Sequence, residues 1–292
     1  MAITGAILGD IAGSQYEFDR PKKLDWENCE LYTEKCMFTD DSVMSLAIKS
    51  AVDNGLDHQD EMRRIGAYYP DCGYGGHFFQ WMFCEEPRPY NSLGNGSAMR
   101  VSYIGEYYDD LEDVKREAER SAAVSHNHPE GIKGAVVTAV CIWMAKHGKT
   151  KDEIYDHVIS QYPADKYRFS MDKDMEYLRE HYSWDVTCMT SVPVAMRCFY
   201  ESDSYISFIR NVFSLECDCD TLCAIGGAVA EEFYHGTGLK EEMILRHYLD
   251  DRLYDIWKGV GWVSVGCSRN KSQTESELDF GAYDMFYSGM LD

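Results

Sequence analysis

The stretch Leu111-Glu-Asp-Val-Lys-Arg-Glu-Ala-Glu-Arg-Ser-Ala-Ala-Val-Ser125 decides the fold class. Leu111, Val114, Ala118 and Ala122 recur at intervals of three and four residues, so they share one face of a helix while the charged residues between them face water. The same period continues almost without interruption to the end of the 250s. It predicts helices over Glu130–His147, Lys151–Gln161, Asp172–His181, Ser191–Glu201, Ser204–Phe213, Asp220–Tyr234 and Lys240–Ile256. Upstream, Ile3–Ser14 and Val43–Ala51 read the same way. No run alternates apolar and polar residues as the strands of a sheet would, so the fold class is all-α. Pro129 fits a first-turn position behind the polar segment Ser125-His126-Asn127-His128. One of those two histidines is a candidate ligand contact, although a histidine in such a place more often caps a helix. Residues 258–292 lose the period and read as an extension that is packed on the body or partly mobile.

Two acidic segments sit at predicted helix starts. Phe38-Thr39-Asp40-Asp41-Ser42 precedes Val43–Ala51, and Asp218-Cys219-Asp220-Thr221 precedes Leu222–Tyr234. A helix N-terminus welcomes one carboxylate through capping and the macrodipole. Two neighbouring carboxylates repel each other unless they are solvated or share a cation. If the segments met, up to four carboxylates and several hydroxyls would form an all-oxygen cage suited to Mg²⁺ or Mn²⁺, with room for a pair.

Composition narrows the function. The chain has 292 residues, 45% of them hydrophobic, enough for a substantial core. Its net charge of -22 argues against non-specific nucleic-acid binding and against anionic membranes, and an anionic substrate would need a metal or amide groups to hold it. Eleven cysteines without a signal-peptide pattern suggest reduced thiols, and no apolar run approaches the ~20 residues of a membrane span. A soluble, cytoplasmic protein is expected.

Gly5, Gly9 and Gly13 lie four residues apart on one helix face, where a neighbouring helix or a ligand can approach the backbone. Asp10 and Glu17, read alone, are solvated acids. Tyr69-Pro-Asp-Cys-Gly-Tyr-Gly-Gly76 reads as a loop, and Leu93-Gly-Asn-Gly-Ser-Ala-Met-Arg100 as a turn entering a helix. Exposed amides in two such loops could hold a pyrophosphate. Cys217, Cys219 and Cys223 match no common zinc or iron–sulfur spacing, so small buried thiols are the expectation.

Together, Gly9-Asp10-x-x-Gly13-Ser14-x-Tyr16-Glu17, Phe38-Thr39-Asp40-Asp41-Ser42, Tyr90-Asn91-Ser92-x-Gly94-Asn95-Gly96-Ser97-Ala98-Met99-Arg100, Ser125-His126-Asn127-His128-Pro129-Glu130-Gly131 and Asp218-x-Asp220-Thr221 resemble the motifs of the ADP-ribosylglycohydrolases. They occur in the family's order over residues 3 to about 257. The resemblance implies one domain over 1–292, a compact orthogonal helical bundle with its core in 3–257, and a binuclear centre of two Mg²⁺ or Mn²⁺ ions. It implies a hydrolase that removes ADP-ribose from a modified protein or small-molecule acceptor by cleaving at the anomeric carbon of the distal ribose.

By the same resemblance, Thr39, Asp40, Asp41, Asp218, Asp220 and Thr221 are metal ligands, and Glu17 is the catalytic glutamate beside the scissile bond, assisting proton transfer or positioning the nucleophile. Gly75, Gly76, Gly94, Asn95, Gly96, Ser97, Met99 and His126 line the substrate cleft. The chain departs from the family at Glu216-Cys217, where relatives usually carry Gly-Gly. That departure and the C-terminal extension motivate an alternative, a protein that binds ADP-ribose and blocks an ADP-ribosyltransferase with little turnover. A ligand-free structural role is the third possibility, and retention of Glu17 and of all six presumed metal ligands argues against both alternatives.

Overall fold

The computed structural model describes residues 2–260, and residues 261–292, which hold most of the expected C-terminal extension, lie outside the described residues. Fifteen helices make up the described chain: α1 Ala2–Ser14, α2 Asp40–Asn54, α3 His58–Gly66, α4 Gly76–Phe83, α5 Gly96–Met99, α6 Ser102–Tyr107, α7 Leu111–Ala123, α8 Pro129–Lys146, α9 Lys151–Gln161, α10 Met175–His181, α11 Cys188–Tyr200, α12 Tyr205–Phe213, α13 Cys219–Tyr234, α14 Glu241–Tyr248 and α15 Asp251–Lys258. Among these residues there is no strand, only one isolated bridge between Gly94 and Thr187. The fold is all-α.

Local chemistry sets the helix limits. Asp110 caps α7 by accepting from the amides of Glu112 and Asp113, and Val114, Ala118 and Ala122 face the core as their period requires. Pro129 opens α8 behind His128, whose ring accepts from the Glu130 amide. The expected helix over Lys240–Ile256 is two helices. It breaks at Leu249-Asp250 because the Asp250 carboxylate caps α15 at the Leu253 amide while also accepting from the Tyr69 hydroxyl. That distant tyrosine has no trace in the local period. The short helices α4 and α6 carry too few turns to show a period above the noise, whereas α3, with Met62 and Ile65 buried three residues apart, has a legible period that sequence reasoning passed over.

The centre is the pair α1 and α13. Gly5 lies against Gly227, Gly9 against Cys223 and Gly13 against Asp220, so the two helices run antiparallel with their backbones in contact. A Cβ at Gly9 would collide with the Cys223 carbonyl, and one at Gly13 would stand 2.5 Å from the Asp220 Cα. The glycines therefore serve helix packing. Helices α2, α6, α12 and α14 pack on the α1 side, and α5, α8, α11 and α12 on the α13 side. Trp257 donates to the Thr4 hydroxyl at 3.0 Å, which fixes α15 to α1. This central contact brings the end of α1 to the start of α13.

Candidate metal centre

Three helix ends converge. Asp10, in the last turns of α1, is the one charged residue of that helix and is fully buried. This corrects the expectation of a solvated acid. Its carboxylate accepts from the Thr39 amide at 3.0 Å, the Thr39 hydroxyl at 2.7 Å, the Ser42 amide at 3.1 Å and the Ser42 hydroxyl. These bonds satisfy amides that a helix start leaves unpaired, so Asp10 docks α2 onto α1. Thr39 caps the same helix by accepting from the Asp41 amide.

Asp41 is thereby directed inward. Its Oδ2 lies 3.4 Å from the Thr39 hydroxyl and 3.3 Å from the Thr221 hydroxyl, which joins the two acidic motifs across 180 positions of sequence. Carboxylate oxygens of Asp10, Asp41 and Asp220 lie within 4.8 Å of one another, and so do those of Glu17, Asp218 and Asp220. Asp220 belongs to both groups. Asp40 belongs to neither. It is half-buried, and its amide donates to the Cys72 carbonyl at 2.7 Å, which ties the 69–76 loop to the rim of the cluster.

Burial and mutual repulsion oppose ionisation here. Burial pushes Asp10 and Asp218 up to about 6. Glu17 rises to about 8 through burial first and the Asp218 charge next, and Asp40 to about 8 through burial and then Asp10. Asp41 and Asp220 are raised well above the carboxylate range, again by burial first. Asp41 Oδ1 and Asp220 Oδ1 are buried without any hydrogen-bond partner. Unpartnered buried carboxylate oxygens are costly, and an all-oxygen donor set is what a hard divalent cation takes. The residues fit such an ion.

On the other side of the cluster, Asn95 donates to Asp218 at 2.7 Å and to the Ser191 hydroxyl at 3.0 Å. Ser97 is buried and donates to the Gly131 carbonyl at 2.7 Å, and Met99 is also buried, so both of these side chains serve the interior. Gly94 and Gly96 face the His126 ring. The two histidines of the 125–128 segment therefore divide the work: His128 caps α8 and His126 looks across the glycine turn. Gly75 and Gly76 begin α4, which has no side-chain cap, and a Cβ on either would meet nothing within 4 Å. Packing does not explain these two glycines. Cys217, Cys219 and Cys223 are buried, as expected, and form no ligand cluster among the described residues. Glu216 is exposed and Cys217 buried, with its thiol toward the Val212 carbonyl at 3.7 Å.

A family model described as ADP-ribosylglycohydrolase matches residues 1–255. The chain belongs to the ADP-ribosylglycohydrolase family. Its curated relatives include the ADP-ribosylhydrolase ARH3 of Mus musculus and of Homo sapiens, each 25% identical over 304 aligned residues that cover 80% of this chain and 82% and 84% of the relative. A putative ADP-ribosyl glycohydrolase L543 of Acanthamoeba polyphaga mimivirus is 23% identical over 81% of this chain and 86% of its own. A solved structure described as an ADP-ribosylglycohydrolase-related protein complex superposes with a TM-score of 0.66 at 18% identity, covering 87% of this chain and 93% of that one. The all-α fold is thus that of the ADP-ribosylglycohydrolases, and the chain is a glycohydrolase of that family that removes ADP-ribose.

Sequence reasoning passed over two parts of this ADP-ribosylglycohydrolase site. One is Asp10, for which a signal existed: a lone acid on an otherwise uncharged helix, three residues before Gly13 on the buried face. The other is the segment Tyr182–Thr187, which runs beside the glycine turn through Asn95 N–H to Val186 carbonyl at 2.8 Å and Cys188 N–H to Leu93 carbonyl at 2.9 Å. No local pattern marks that pairing. No helix of the described residues is long and apolar enough to cross a membrane.

Proposed function

We propose that this protein is a metal-dependent ADP-ribosylhydrolase that cleaves the bond between the anomeric carbon of the distal ribose and an acceptor side chain or small molecule. The observation that carries the reading is Asp220, shared by two carboxylate groups, with a buried unpartnered oxygen on it and another on Asp41. One group, Asp10, Asp41 and Asp220, joined by the hydroxyls of Thr39 and Thr221, would hold one Mg²⁺ or Mn²⁺. The other, Asp218 and Asp220 beside Glu17, would hold a second. Bound divalent cations supply Lewis acidity toward ribose oxygens and lower the pKa of water.

The chain's own residues supply the rest. Glu17 follows α1 and is only half-buried, so it reaches the open side of the acids. A carboxyl that carries a proton beside a departing acceptor is a general acid, and in the cation-free protein burial and then the Asp218 charge push the Glu17 carboxyl up to about 8. Cleavage at an anomeric carbon passes through oxocarbenium character, as in glycoside hydrolysis, and leaves the departing atom in need of that proton. The uncapped amides at Gly76 and its successors offer the pyrophosphate the hydrogen bonds that an acidic surface lacks. Gly94, Gly96 and His126 form the adjoining wall, with Asn95 orienting Asp218. Glu216 is exposed and Cys217 buried, so of the two residues that depart from the family pattern the charged one faces water.

The test is release of ADP-ribose from a labelled acceptor protein in Mg²⁺ and in chelator. Release is expected only with the ion, and Glu17→Gln should slow it at least ~100-fold while still titrating with ADP-ribose. Equal release in chelator removes the cations from the reaction, and near-normal release by the variant removes Glu17.

A further inference from the structure

Arg100 is the bulkiest of the fully buried side chains, and among the described residues no carboxylate pairs with it. The Asp40 charge acts on it without a direct ion pair, and a buried cation so weakly compensated is costly, so its hydrogen bonds call for a purpose. One Nη2 donates to the Ser121 carbonyl at 3.0 Å and to the Ser125 hydroxyl oxygen at 3.0 Å, and the guanidinium carbon sits 5.5 Å from the Phe78 ring centroid.

A guanidinium only donates, so Ser125 Oγ is the acceptor in that bond. The Ser125 hydroxyl hydrogen is then free for His126 Nδ1, 2.8 Å away. The reverse arrangement, Nδ1–H donating to Ser125, would strand the hydroxyl hydrogen at a fully buried position that offers no other acceptor. A ring nitrogen that accepts carries no hydrogen, so a neutral imidazole has it on Nε2. Burial, and after it the Arg100 charge, push the His126 pKa well below its ordinary value and keep the ring neutral. Nε2 stands 3.2 Å from where a Cβ on Gly96 would lie and 3.6 Å from one on Gly94. Neither glycine has positive φ; the missing side chain at Gly96 provides clearance in front of Nε2, while a Cβ on Gly94 would meet Ser92 Oγ first, at 3.2 Å. The rings of Tyr90 and Phe78, 6.0 and 6.4 Å from the imidazole centroid, hold its plane.

We propose that Arg100 and Ser125 are positioning residues that fix His126 as an Nε2–H donor aimed across the Gly94–Gly96 turn at an oxygen of bound ADP-ribose. This rests on the placement of that turn in the substrate cleft. A ring so fixed offers a hydrogen and no lone pair at Nε2, so it selects an oxygen acceptor and does not serve as a base at that atom.

Nitrogen-15 shifts of the histidine rings, with His126 assigned by its loss in His126→Asn, read the tautomer directly in the full chain. The expected result is an unprotonated Nδ1 and a protonated Nε2 in the wild type. Ser125→Ala should mix the tautomers and weaken ADP-ribose binding about tenfold, the loss of roughly one hydrogen bond, while Ser125→Thr restores both. A hydrogen on Nδ1 in the wild type, or unchanged ring shifts and affinity in Ser125→Ala, would overturn the proposal, and the wild-type spectrum decides even if that variant does not fold. If the wild-type tautomer is as stated but His126→Asn binds ADP-ribose normally, the placement of the turn in the cleft is what fails, and the donor role fails with it.

Discussion

Asp220 shows how one side chain can tie two acid groups together. Its Cα lies against Gly13 of α1, and its oxygens belong with Asp10 and Asp41 on one side and with Glu17 and Asp218 on the other. Asp40, its counterpart in the first motif, stands outside both. Calorimetric titration with Mg²⁺ should therefore find no measurable binding in Asp220→Asn but binding weakened by no more than about tenfold in Asp40→Asn, the size of one ordinary polar interaction. Equal abolition in both variants would make Asp40 a ligand. At this scale the sequence was informative where a motif has a local cause. Asp41, Asp218 and Asp220 stand at helix starts, where acids are conspicuous. Asp10 stands mid-helix, and its four hydrogen bonds go to residues about 30 positions away, which no window on the sequence reveals.

Among the elements, the α1–α13 contact is the most demanding. Gly9→Ala gains helix propensity of about 1 kcal/mol, yet its methyl group would meet the Cys223 carbonyl, which is backbone and cannot rotate aside. Overpacking of this kind costs roughly 1–3 kcal/mol, and here the upper end applies because two helices must separate. Urea denaturation should show a net loss, whereas Gly76→Ala, with open space around it, should show none. No loss in Gly9→Ala would mean that the contact is looser than its geometry. The four-residue glycine spacing was legible in the sequence, but whether a helix or a ligand used it was not. The break between α14 and α15 was hidden for a related reason: Asp250 acts through Tyr69, 181 residues away.

For the whole molecule, the balance of charge and protonation decides stability. Burial lifts Asp10 and Asp218 to about 6 and Glu17 and Asp40 to about 8, so between about pH 4 and 8 the cation-free native state holds protons that the unfolded chain has released. Stability then falls as pH rises through that window. General repulsion in a chain of net charge -22 acts in the same direction, so the informative quantity is the difference between chelated and Mg²⁺-loaded protein. Thermal melts should show the chelated protein more stable at pH 5.5 than at pH 8, and a gain from Mg²⁺ that is larger at pH 8, where the ion does not compete with protons. A gain that shrinks with rising pH would contradict the assignment. The all-α class was readable from helical period alone, since that property is local. The meeting of residues 10, 41 and 220 depends on how α1, α2 and α13 stack, which is not local.

The glycine contact also sets the order in which parts of the protein can let go. Regions held by few buried contacts open at low cost, while the innermost helices open only with the whole molecule. Asp10 and Asp220 ride on the two innermost helices, whereas Glu17 stands in the turn after α1 and Gly75–Gly76 at the start of the outlying helix α4. Loosening of those margins would therefore leave the acids of Asp10 and Asp220 assembled, since these come apart only with the central helix pair.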